Sequence, residues 1–390
     1  MGFLPPNAFS WALYDFANTI FSAIVVTVYL PLHITHLSGR NTPLGIASTF
    51  SMILSGLIIP TLGTWSDRTG KTKLYLLIST ILCVFATCYL SFTQTSLLLL
   101  ITFAMANFLY HSSLVFYNSL LPVVSPPEKQ GFVSGVGTGL GYLGVLFALP
   151  LAHLVDTFYE RRWVFLLAGV LFFLFSIPLF AYVPERKVSS PLKMSLGKSL
   201  SLLFQNRPVL VFLIGNFLLL DVLNAIILWL SVFLTKSFGI SQGTLIRTIL
   251  ALNASAFIFG IVLGKMTDAV GSKKTLLLST ACLATVLLAV GLIQSFAWAC
   301  FFILLFGGAS AAGIWTAGRK IVVELSPKER VGEFFGLYGF TTKVSGVGSV
   351  VLSLLADTFG FRVAVLSQLL LVGLATLFLV QVPIPRSSDN

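Results

Sequence analysis

Apolar runs of about twenty residues, parted by short polar breaks, recur from one end of this chain to the other. Wound as a helix rising about 1.5 Å per residue, each run can cross a hydrocarbon layer roughly 30 Å thick. The runs are continuous rather than alternating, which excludes a membrane β-barrel and leaves helices that pair their own backbone groups. Twelve spans are predicted. In the first half they are Phe9–Leu32, Leu44–Leu62, Leu74–Phe92, Leu97–Leu121, Phe132–Leu154 and Trp163–Tyr182. In the second they are Val209–Leu234, Thr244–Leu263, Thr275–Ile293, Phe296–Gly318, Phe334–Ala356 and Val363–Val382.

The polar breaks repeat as well. Gly63, Asp67, Gly70 and Lys73 follow the second span, and Gly264, Asp268, Gly271 and Lys274 follow the eighth, each 201 positions later. The same offset relates Ser125-Pro-Pro-Glu128 to Ser326-Pro-Lys-Glu329, Asp156-Thr-Phe158 to Asp357-Thr-Phe359, and Pro184 to Pro385. Two six-span units of like orientation are therefore expected, parallel repeats about an axis along the membrane normal. The division is an N-terminal six-helix bundle over 1–184, a linker over 185–207, a C-terminal six-helix bundle over 208–385 and a tail over 386–390.

Composition agrees with the pattern. Hydrophobic residues make up 56% of the chain and charged residues 9%, where a soluble domain carries about 25% charged. The net charge of +11 would suggest nucleic acid on a soluble surface. Here 17 of the 24 basic residues fall in loops after even-numbered spans, in the linker or in the tail, against 6 after odd-numbered spans. That bias places both termini in the cytoplasm and makes the lipid bilayer the partner rather than nucleic acid. Cys83, Cys88, Cys282 and Cys300 lie inside apolar runs, so neither disulfides nor a metal site is expected. No basic residue precedes the first run, which itself contains Asp15, so a cleaved leader is not expected either.

Gly63-x-x-x-Asp67-Arg68-x-Gly70-Lys71 resembles the motif of major facilitator transporters between their second and third helices, and Gly264–Lys274 resembles its degenerate partner. The stretch Trp11-Ala-Leu-Tyr14-Asp15-Phe-Ala17-Asn18-Thr19-Ile-Phe21 is similar to an N-terminal signature of the vacuole-effluxer branch, the autophagy-linked amino-acid effluxers and their bacterial relatives, with Thr19 where a Ser is expected. The resemblance implies an all-α major facilitator fold in which helices one, four, seven and ten line a cavity, and helices two, five, eight and eleven form the rocking interface. It also implies that Asp67 sits at a helix N-terminus of the other half. Independently, Gly131, Gly135 and Gly139, and Gly260 and Gly264, are spaced for close helix approach.

Ionisable residues inside spans are the best candidates for function, since burying a charge in a membrane is expensive. Asp15 and Asn18 share a stripe on the first span; Asn107, Tyr110, His111 and Asn118 cluster on the fourth; Asp221 and Asn224 lie on the seventh. These residues are expected to line a substrate or proton pathway, because a carboxyl in low dielectric can exchange protons near neutrality. Packing roles are the alternative at each. Lys343, the odd charge of the eleventh span, is expected either to pair with an acid or to snorkel. Glu324 and Glu333 are expected to be solvated.

No nucleophile–base pair is present, and Trp65 stands where a phosphate loop ending at Gly70-Lys71-Thr72 needs glycine. Neither an enzyme nor a cofactor is expected. The expected function is secondary transport of a small polar solute, an amino acid by the branch resemblance, by alternating access with protons as partner. The protein is expected to be a monomer in a bacterial inner membrane. Drug or lipid export on the same fold, or a non-transporting sensor or scaffold, are the rival readings.

Overall fold

In a computed structural model the described residues are 4–31, 33–34, 42–93, 95–186, 206–344 and 347–383. Long helices dominate them. The first half contains α1 (Pro6–Tyr29), α2 (Thr42–Thr69), α3 (Thr72–Tyr89), α4 (Ser96–Ser119), α5 (Gln130–Phe158) and α6 (Trp163–Tyr182). The second contains α7 (Arg207–Phe238), α8 (Gln242–Val270), α9 (Ser272–Leu292), α10 (Phe296–Leu325), α11 (Val331–Val344), α12 (Val347–Phe359) and α13 (Phe361–Gln381).

Among the described residues, 10 helices are long and apolar enough to cross a membrane, against the twelve spans expected. The second expected span lies within α2, which is 28 residues long. The eleventh runs through α11 and α12, and residues 345–346 between them fall outside the described set, as do most of the linker and the whole tail.

Contacts divide the chain into two compact units. Unit 1 comprises residues 1–126, 140–193 and 327–340; unit 2 comprises 127–139, 194–326 and 341–390. The first third of α5 thus belongs with the helices of the second half, and most of α11 with those of the first.

In unit 1, α1 packs on α6, α3 on α4 and α6, and α2 on α4. Aromatic side chains fill that core. Trp11 stacks on Tyr117 at 4.4 Å and donates its indole N–H to the Tyr117 carbonyl. Tyr14 lies 5.0 Å from the same ring and shares a 2.6 Å hydrogen bond with Thr80. Aromatic bodies supply buried apolar area while their polar tips find partners. This Trp-x-x-Tyr spacing, one helical turn, fixes how α1 turns against α3 and α4 and so which way Asp15 faces.

In unit 2, α7 packs on α13, α9 on α10 and α13, and α8 on α10. The start of α5 lies against α8 so closely that a Cβ on Gly135 would come 2.6 Å from the Gly264 Cα. Only glycine on both helices permits that approach. Small residues one turn apart serve the same end wherever helices associate in lipid.

Candidate functional site

The loop after α2 is built by its own sequence. Gly70 adopts φ +66°, a left-handed conformation that costs glycine little. Ser66 and Thr72 close the turn through a 2.8 Å hydroxyl contact. This brings Asp67, on the last turn of α2, against the N-terminus of α11. There Asp67 Oδ1 accepts from the Gly332 amide at 3.0 Å and Oδ2 from the Glu333 amide at 2.7 Å.

The first amides of a helix have no partner within it, and the helix dipole favours a negative charge beside them. Asp67 is fully buried, and Arg186 provides its counter-charge at 2.5 Å. Arg186 also donates to the Lys328 carbonyl, so three segments meet at one carboxylate. Gly63 belongs to the same contact, since a Cβ there would strike the Gly332 carbonyl carbon. Arg68 is half-buried, and its Nε and Nη2 have no hydrogen-bond partner among the described residues. Lys71 is exposed in the turn.

Unit 2 carries the same arrangement 201 positions on. Gly271 has φ +100°. Asp268 Oδ1 accepts from the Gly131 amide at 2.8 Å and Oδ2 from the Phe132 amide at 2.6 Å, in the first turn of α5. Its cation is Lys320 at 2.6 Å, with Glu324 a further neighbour of that ammonium at 3.9 Å. The carboxylate is less enclosed, its side chain 12% exposed.

Two sequence expectations fail in this region. The tenth span does not stop at Gly318, because α10 continues to Leu325 and carries Arg319 and Lys320 into buried positions. Glu333 is buried rather than solvated and pairs with Arg330 at 2.6 Å. Hydrogen bonding to Glu333 holds the Arg330 guanidinium above its usual pKa, against the opposing effect of burial. In both cases the charge is sheltered because it has a partner from a neighbouring turn or helix.

Within the spans, Asp15 is buried and accepts from Asn18 Nδ2 at 3.1 Å, so the predicted stripe on α1 is one hydrogen-bonded pair. On α4, Asn107 donates to Ser51 of α2 at 2.7 Å, and Tyr110 and His111 lie ring to ring at 4.9 Å. Asn118 Oδ1 is buried without a hydrogen-bond partner among the described residues. All seven residues belong to unit 1. Asp221, of unit 2, accepts from the Gly348 amide at 2.8 Å, and Asn224 is half-buried one turn further along α7. Lys343 is part-exposed near the end of α11 and forms no ion pair among the described residues.

Sequence reasoning passed over Arg186 and Lys320, counting both as topology charges, and over Ser51 and Asn216. Asn216 is buried on α7 and donates to Thr341 at 3.3 Å. Its signal was available, since it stands 201 positions after Asp15. Nothing comparable marks Arg186.

The family model described as "Major Facilitator Superfamily" matches residues 8–261 and 212–390. The uncharacterised MFS-type transporter YxiO of Bacillus subtilis (strain 168) is 25% identical over 411 residues, covering 97% of this chain and 95% of that protein. A multidrug-resistance efflux pump PmrA homologue of Lactococcus lactis is 22% identical, covering 93% and 91%. The crystal structure of the human organic anion transporter MFSD10 superposes with a TM-score of 0.80 at 13% identity, covering 96% of this chain and 100% of that one.

Proposed function

The chain belongs to the Major Facilitator Superfamily, and from that premise we propose that it moves a small polar solute, an amino acid before other classes, by proton-coupled alternating access. The proposal includes twelve spans in two parallel six-helix repeats, both termini in the cytoplasm, and a bacterial inner membrane as its place.

One observation carries the mechanism: two carboxylates, Asp67 and Asp268, each gripping two amides in the first turn of a helix from the other half of the sequence. Bonds of this kind are strong when made and leave a buried charge stranded when broken. They give the fold two discrete arrangements, latched and released, rather than a continuum. In this reading both latches form when the cytoplasmic side is shut and both open when solute exchanges there.

Support for a polar solute comes from the buried acids and amides on α1, α4 and α7. Asp15 keeps Asn18 as a neutral neighbour, and Asp221 is held by one backbone amide. Buried carboxylates of this kind offer hydrogen-bonding groups that a polar solute can engage. The test is uptake into proteoliposomes with and without an inward pH gradient, across a panel of amino acids. Asp221→Asn is expected to abolish the stimulation by the gradient while leaving the protein folded. Stimulation that survives in the variant removes Asp221 from the coupling.

The second reading is export of apolar or amphiphilic compounds, favoured by the efflux-pump relative. Dye extrusion from cells carrying the protein, with no response to any amino acid, would establish it in place of the first.

A further inference from the structure

Three of the six basic residues that run against the charge bias of the loops, Lys236, Arg247 and Arg362, lie on the helix ends at one end of unit 2. That is the end where α7 and α9 finish and α8 and α13 begin. Topology does not ask for cations there; it disfavours them. The one acid at this end among the described residues is Asp357, exposed on the last turn of α12 and without an ion pair.

Immediately beside these charges, α7, α9, α12 and α13 leave a narrow apolar crevice. Its walls are apolar throughout, with Ile226, Trp229 and Phe233 from α7, Val290 from α9, Leu352 from α12 and Phe361 from α13. Water held in such a place would need two to four polar partners, and the walls supply none. Trp229 and Phe361 are only partly buried, so the crevice opens past them.

The cations lie at that opening. Lys236 Nζ is 5.5 Å from the centre of the Phe361 ring, exposed, and without a carboxylate partner among the described residues. Arg362, the next residue, is pinned by hydrogen bonds to the carbonyls of Gly291 and Ile293, at 3.3 and 2.8 Å. Those carbonyls orient its guanidinium and neutralise none of its charge. A dry slot with two cations at its mouth complements one kind of molecule, with a hydrocarbon tail and an anionic head.

We propose that this crevice binds an anionic phospholipid of the surrounding membrane, its phosphate between Lys236 and Arg362 and an acyl chain along the part-exposed rim formed by Ile226, Trp229 and Phe361. The lipid belongs to the leaflet opposite the basic loops. A bound tail would wedge α7 against α13, so the site would also set how firmly unit 2 holds together.

The test is native mass spectrometry of the delipidated full chain titrated with phosphatidylglycerol or with phosphatidylcholine of the same acyl chains. Phosphatidylglycerol is expected to bind about fivefold tighter or more, given the attraction of roughly one basic side chain to an anionic headgroup. Lys236→Gln is expected to remove that preference and Lys236→Arg to keep it, with melting temperature confirming that both variants fold. Ile226→Trp, which fills the crevice from a part-exposed position, is expected to weaken both lipids. Equal binding of the two lipids, a preference that survives Lys236→Gln, or binding indifferent to Ile226→Trp would overturn the proposal. So would saturation by detergent that phosphatidylglycerol cannot displace. None of these outcomes depends on what the protein transports.

Discussion

Asp67 and Asp268 make the same pair of amide bonds in different surroundings, and the difference predicts unequal costs. Asp67 is fully enclosed, and its partner Arg186 is itself buried. Asp67→Asn keeps the shape but can accept from only one amide, and it leaves the guanidinium without its counter-charge. Breaking a buried pair in this way costs about 3–5 kcal/mol. Lys320, by contrast, retains Glu324 within reach when Asp268 is neutralised. Asp268→Asn is therefore expected to lower the melting temperature of the purified protein by less than half as much as Asp67→Asn. Residues sharing one ion pair also lose less together than apart, so Asp67→Asn with Arg186→Gln should be milder than the sum of the two. Additive losses would show that the pair is not coupled.

At the scale of elements, the contact of α5 with α8 depends on glycine rather than on side-chain complementarity. Gly135→Val would drive a branched side chain into the Gly264 backbone and force the helices apart. If, as proposed, this contact moves during alternating access, transport in proteoliposomes is expected to fall by at least tenfold. The matching control is Gly373→Ala on α13, where an added methyl meets nothing within 4 Å. Alanine there is expected to leave transport unchanged and raise stability by up to about 1 kcal/mol. The glycine spacing that pointed to this contact was legible in the sequence, as was the repeat of Gly70 at Gly271, but not the positive φ that both adopt. The length of α10 was not, because a helix end in a membrane protein is set by where polar groups find partners, not by where hydrophobicity stops.

For the whole molecule, a ligand that binds the folded protein raises its stability by mass action, about 2.7 kcal/mol at a hundred times the dissociation constant. A thermal-shift panel of amino acids, sugars, organic anions and lipophilic cations is expected to give its largest rise with an amino acid. A rise confined to lipophilic cations would transfer the assignment to drug export.

Much of this protein is written directly along its chain. Apolar runs of span length, basic residues in alternate loops and motifs returning 201 positions later each follow from local chemistry, since lipid demands internally paired backbones and position-dependent charge. Tertiary structure decided which partner each buried charge would meet. Asp67 finds its amides 265 and 266 positions away and its cation 119 away, and Asp268 finds Lys320 52 away. No local pattern encodes such pairings, because a charge removed from water is stabilised by whatever the fold brings within about 3 Å of it.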